Sequence, residues 1–184
     1  YAYVGVVLIR VIADATSAGH FAAAQLLILA AAIIPGVIVQ KVMMSDIHYF
    51  SSVDTIRLVR LMSFLSRGLF FLGACISFFM ITYASFIIKT LYGDEYLDAI
   101  YFLQILSLTL PFRFAAVCYG AVLMTRDFAK LKSKILLSMV LFNILILVVV
   151  LTFMEPKSAA VAIVLCDIFL MISYRHFYRK HFLK

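Results

Sequence analysis

Apolar residues run through this chain in long blocks separated by short polar connections, and most blocks are longer than the apolar stripe of a soluble core helix. The pattern marks six segments: a remnant from Tyr1 to about Ala13, then Phe21 to about Met43, Phe64 to about Leu91, Ala99 to about Met124, Ile135 to Phe153, and Ala159 to Tyr174. A helix needs about 20 residues to cross roughly 30 Å of hydrocarbon. The prediction is therefore an all-α polytopic membrane helix bundle with six transmembrane segments. The first is expected to be truncated, because the chain opens inside an apolar run with neither an initiator Met nor a basic leader. The sixth is short, and Tyr174 and Phe177 are expected to extend it into the interface as an aromatic anchor.

Three local features refine this pattern. Pro35-Gly36 in the second segment and Pro111 in the fourth predict helix breaks, each either an ordinary kink or a bending point. The polar connection from Ser45 to Leu61 carries Ile47, Phe50, Val53, Ile56 and Val59 at intervals, which predicts a short interfacial helix. Gly93-Asp94-Glu95-Tyr96 predicts a turn and a helix start, with Asp94 capping the fourth segment.

Composition excludes a soluble globule. With 66% hydrophobic residues, 14% charged residues and a mean hydropathy of +1.11, the chain lacks the polar surface to face water. Cys75, Cys118 and Cys166 all fall in apolar blocks, which predicts small buried hydrophobes rather than a disulfide framework.

The net charge of +7 is unevenly placed. Lys41, Arg57 and Arg60 fall between segments two and three, with Arg67 at the start of the third; Arg126, Lys130, Lys132 and Lys134 between four and five; Arg175, Arg179, Lys180 and Lys184 after six. The remaining connections hold Lys89 and Lys157 among Asp14, Asp94, Glu95, Asp98 and Glu155. Basic residues thus recur at every second connection, and the positive-inside rule then predicts that both ends of the chain are cytoplasmic. Topology accounts for the basic balance, and no interleaved base-stacking motif points to nucleic acid.

Arg10, Arg113 and Asp167 fall within the apolar blocks. A charge at the bilayer centre costs about 2.5–3.5 kcal/mol even on a lenient insertion scale, so each requires a reason. Arg10 lies near a segment end with Asp14 four residues on, a spacing that predicts a snorkelling ion pair. Arg113 is central in the fourth segment, with Thr109, Ala116 and Gly120 on its helical face. Such a face suits a wet cavity in which the guanidinium presents a donor fork to phosphate oxygens. Asp167 is equally central in the sixth segment, with Tyr174 on its face. Segments four and six run in the same direction, so the two charges lie at similar depth. They form either an ion pair that ties two helices or an anion site in which Asp167 orients the arginine. No GxxxxGK[ST], HExxH, CxxC or GxSxG is present, and His20, His48, His176 and His181 lack metal-ligand spacing. The sequence predicts no catalysis, no metal and no cofactor.

Leu91-Tyr92-Gly93-Asp94-Glu95-Tyr96-Leu97-Asp98-Ala99, followed by Leu103-Gln104-Ile105-Leu106, resembles an "LFGxEYxxA…LxIL" segment of polysaccharide (O-antigen-type) flippases. These belong to the multidrug/oligosaccharidyl-lipid/polysaccharide exporter superfamily. The likeness continues through Leu110-Pro111-Phe112-Arg113-Phe114 and Gly120-Ala121-Val122-Leu123. It extends to Ala18-Gly19-His20-Phe21-Ala22-Ala23-Ala24-Gln25 with Ile34-Pro35-Gly36, where His20-Phe21 departs from the usual Gly-Tyr or aromatic pair.

The resemblance implies that residues 1–184 are the C-terminal six-helix lobe of a twelve-helix transporter whose N-terminal lobe lies outside this sequence. It further implies a multi-pass protein of the bacterial inner membrane. By alternating access it would translocate a polyprenyl-diphosphate-linked oligosaccharide for surface polysaccharide biosynthesis. Arg113, and after it Arg10, would meet the diphosphate. A multidrug or cation antiporter of the same superfamily is the nearest alternative, and it normally needs intramembrane carboxylates beyond Asp167. A membrane-embedded enzyme or a structural membrane subunit would be of another class.

Overall fold

The computed structural model describes residues 3–124, 128–154 and 156–182, without the side chains of Ser51, Ser52, Thr55 and Ala129. Tyr1 and Ala2 of the first block, and Arg126, Glu155 and Lys184 of the charge pattern, lie outside the described residues.

The described chain is helical, with no strand among the described residues. Helix α1 is Val4–Ile12 and α2 is Ala15–Val37, which passes through a π-helical stretch, Ile38–Met43, into α3, Met44–Val53. Then follow α4 (Thr55–Thr82), α5 (Ala84–Tyr92), a 3₁₀ turn (Asp94–Tyr96), α6 (Ala99–Ser107), α7 (Leu110–Val122), α8 (Ala129–Phe153) and α9 (Ser158–Phe182). Among the described residues, four helical stretches are long and apolar enough to cross a membrane: Ala15–Phe50, Ile56–Thr82, Lys130–Phe153 and Ser158–Phe182. A fifth is added if α6 and α7, bent by 46° at their junction, together make one span. Helix α1, at nine residues, is about 14 Å long and too short to be counted with them.

The boundaries have local causes. Asp14 caps α2 by accepting the Ser17 N–H at 2.6 Å, and Asp54 caps α4 by accepting the Arg57 N–H at 3.0 Å. Asp54 also pairs with the Arg57 guanidinium at 3.1 Å. The connection from Ser45 to Leu61 is therefore not one interfacial helix: its first part prolongs α2 without interruption, and Asp54 starts a new helix for the rest. Asp94 does not cap the fourth segment; it opens the 3₁₀ turn and meets Lys89 at 3.5 Å. Gly93 makes that turn possible, with φ of +83° that a side chain would strain.

The two prolines act differently. Helix α2 continues through Pro35, and the disturbance appears downstream, where Ile38 N–H reaches both Ile34 O and Pro35 O and the turns widen to π geometry. Pro111 falls in the first turn of α7, where its missing N–H costs nothing. Its ring would collide with the carbonyl of residue 107, and α6 ends at Ser107. The carbonyls around this break are occupied locally. Thr109 Oγ1 donates to Leu106 O at 2.7 Å, and Ser107 Oγ donates to Leu103 O at 2.6 Å.

Side-chain contacts fix the helix directions. Ser66 meets Tyr119, and Gly73 lies against Leu110 and Pro111, so α4 runs antiparallel to α7. Lys132 lies near Gly120, at the end of α7 where α8 begins. His20 Nε2 donates to Glu95 O at 3.2 Å, and the Lys157 ammonium sits 5.7 Å from the Tyr101 ring centre. The starts of α2, α6 and α9 therefore gather at one end of the bundle, with Asp14, Asp94, Glu95 and Asp98. The opposite end holds Lys41, Arg60, Arg67, Lys130, Lys132, Arg175 and Arg179. The core between is sealed by Phe21, Phe102 and Phe114, with Phe21 and Phe102 edge to face at 5.6 Å. Cys118 and Cys166 are buried in it, whereas Cys75 lies on the outside of α4.

Candidate functional site

Helices α7 and α9 run parallel and bring the two central charges together. Arg113 Nε donates to Asp167 Oδ2 at 2.6 Å, with the aspartate side chain 1% exposed and the arginine side chain 11%. A pair this deep holds together because each charge replaces the water the other has lost, with the charge-assisted hydrogen bond fixing the geometry.

On its other side Arg113 lines a cavity of about 370 Å³ enclosed by α2, its π-helical continuation, and α7, α8 and α9. Its walls are mostly apolar, among them Leu29, Val117, Leu136 and Leu170. The polar groups on it are Arg113, Lys132, Gln40 and Tyr174. Gly120 shapes its floor. A methyl group there would lie 3.3 Å from a Tyr174 ring carbon and 3.7 Å from Lys132 Nζ, so the absent side chain lets ring and ammonium close over α7. The π-helical stretch delivers Gln40 to the same wall, and Met44 follows one turn later.

Lys132 has no acidic partner among the described residues. Asp167 balances Arg113, so the ammonium leaves the cavity cationic. The arrangement can hold the head of an amphiphilic anion, with two cationic donors for oxygen atoms and apolar walls for whatever is attached.

No known protein family, curated protein or solved structure matches this chain. The site therefore stands on its own geometry.

The sequence-level candidates divide accordingly. Arg113 and Asp167 meet, and Ala116, Gly120 and Tyr174 join Arg113 on the cavity wall. Thr109 does not: it is fully buried and turns back to Leu106 O. Arg10 is exposed near the end of α1 and does not line this cavity. Nor does it share a helix face with Asp14, because the chain breaks at Ala13 and the Asp14 carboxylate turns to Ser17 instead. Pro35 is buried in α2 upstream of Gln40, and Pro111 opens α7 two residues before Arg113, setting where that side chain projects. Lys132 is the residue that sequence reasoning passed over. It was grouped with the basic connection after segment four, yet its spacing to Leu136 puts it on the cavity face of α8.

Proposed function

We propose that this chain is one lobe of a bacterial inner-membrane flippase, with its basic end in the cytoplasm, that translocates a polyprenyl-diphosphate-linked oligosaccharide for surface polysaccharide synthesis. The observation that carries the reading is that Arg113 and Lys132 face one largely apolar cavity among helices long enough to cross a membrane. A diphosphate needs cationic donors, and a polyprenyl tail needs apolar surroundings; a soluble anion would need only the first. In this reading α1 is the end of a further span, and a second lobe contributed by the rest of the protein closes the cavity. Alternating access would then expose the same cationic floor to either membrane face in turn. Opening the basic end lets the diphosphate exchange its water for the Lys132 ammonium and the Arg113 guanidinium. The antiporter reading is disfavoured because Asp167, the carboxylate it would need, is committed to Arg113.

The test is complementation of a bacterium lacking its flippase by the full-length gene, reading surface polysaccharide at matched expression. Lys132→Gln is the informative variant, because the lysine has no acidic partner to strand among the described residues. Wild type should restore export and Lys132→Gln should reduce it by about tenfold, the equivalent of about 1.4 kcal/mol of lost anion binding. Equal export by both would remove the cavity from the mechanism. Failure of the wild type in strains supplying several different sugar units would overturn the flippase reading itself.

A further inference from the structure

A second groove lies on the other side of α7. Phe112, Ala115 and Tyr119 face it, while Arg113, Ala116 and Gly120 face the cavity described above, so the body of α7 separates the two. Helix α9 divides in the same way, sending Leu170 and Tyr174 to the cavity and Met171 and Arg175 to the groove. The groove holds about 400 Å³ and is completed by α4, which contributes Ser66, Arg67 and Phe70.

Its chemistry is specific. Arg67 and Arg175 stand on opposite walls, both exposed, and neither has an acidic partner among the described residues. Two guanidinium groups sharing one groove without a carboxylate repel each other unless an anion comes between them. Between them Tyr119 donates to Ser66 Oγ at 3.1 Å, which adds a hydroxyl pair to the floor. The groove opens at the cation-rich end of the bundle. There it adjoins a strip of α4 lined by Arg60, Phe64 and Phe71, whose aromatic rings are exposed at 77% for Phe64 and 68% for Phe71. Along α4, Phe64 lies one turn toward the helix start from Arg67 and Phe71 one turn deeper, so an outward apolar ring stands on the far side of the charged groups, where the acyl chains of a bound headgroup would run.

We infer that the groove between α4, α7 and α9 binds the phosphodiester headgroup of an anionic bilayer phospholipid, held between Arg67 and Arg175 with its acyl chains running past Phe71. The site is independent of the transport reading, since it lies across α7 from the substrate cavity and needs only a bilayer with anionic lipid on the basic side. Such a lipid would tie the start of α4 to the end of α9, two elements otherwise linked here through α7.

The experiment uses the full-length protein in phosphatidylcholine nanodiscs, with phosphatidylglycerol added stepwise and the bound anionic lipid counted by native mass spectrometry. Wild type should retain phosphatidylglycerol over phosphatidylcholine. Arg67→Gln combined with Arg175→Gln should weaken that retention by about tenfold or more. Arg67→Lys combined with Arg175→Lys should keep most of it, since charge is preserved. Equal retention by the double glutamine variant, or no preference for phosphatidylglycerol, overturns the assignment. Displacement of the lipid by millimolar inorganic phosphate would also overturn it, by showing a site for free phosphate.

Discussion

Gly73 of α4 lies directly against Pro111 of α7: a methyl group on Gly73 would sit 2.9 Å from Pro111 Cα and 2.9 Å from the Leu110 carbonyl oxygen. Both neighbours are backbone atoms, so neither can rotate away. Gly73→Ala must push α4 off the start of α7, the segment that aims Arg113. The expected cost is about 1–3 kcal/mol of stability, as for other overpacked contacts. A thermal-denaturation comparison in detergent against Gly68→Ala, where nothing lies within 4 Å of the added methyl, isolates the effect.

The Arg113–Asp167 pair should behave as a unit. Arg113→Gln takes the guanidinium from a carboxylate that is 1% exposed, and about 3–5 kcal/mol of destabilisation is expected for breaking one partner of such a pair. Asp167→Asn should cost less than that, because the arginine retains a route to the cavity. Combining the two should be milder than the sum. A double-mutant cycle on unfolding free energy measures the coupling, and strict additivity would show that the two charges are energetically separate.

Gly120→Val should fill the cavity floor without touching the ion pair. Its methyl groups would press on the Tyr174 ring, which at 3.3 Å is already closer than ordinary contact to where a single methyl would be, and on the Lys132 ammonium at 3.7 Å. Export in the complementation assay should fall severalfold, by more than the accompanying loss of expression and melting temperature. A large drop in melting temperature with proportionate loss of export would assign the glycine to packing alone.

Asp14 lends itself to a pH test outside the spans. The Ser17 backbone N–H, with further help from the Ser17 hydroxyl and Thr16 N–H, holds its carboxyl below the ordinary value of 3.8. Because the folded value is depressed, the ionised cap stabilises the start of α2 fully above about 3.8. That contribution is lost as pH falls through the lower, folded value. Melting curves of wild type and Asp14→Ala should therefore differ at neutral pH and converge as acid protonates the cap. A gap that persists unchanged into acid would mean that the charge contributes nothing.

The positions of α2, α4, α8 and α9 were legible because each carries an apolar block long enough to exclude other readings. The similar depth of Arg113 and Asp167 was legible too, since helix direction alternates along the chain. The division of α6 from α7 was not. Leu108 and Thr109 are ordinary helix residues, and only the steric reach of Pro111 back to residue 107 places the bend ahead of the proline. The extent of the first long helix was also hidden. Charge begins at Lys41, where the apolar block ends, but no glycine or proline stops the backbone until Asp54 captures the next helix start. Lys132 was invisible for a different reason. In a run of basic residues, a topological signal and a binding residue look alike until the neighbouring helices show which side chain turns inward.

The π-helical stretch at Ile38–Met43 bears on how this segment can change in length. A widened turn holds one more residue than an α-helical turn over the same rise, so it amounts to an insertion already absorbed by the helix. Removing a single residue there should let the stretch relax to regular geometry rather than break. Everything after it would then keep its facing, because the turn loses its extra residue without losing its rise. Only the stretch itself, Gln40 included, would be rearranged, while α2 and Met44 stayed in place, so a shorter variant would fold normally and present a different polar wall to the same chamber.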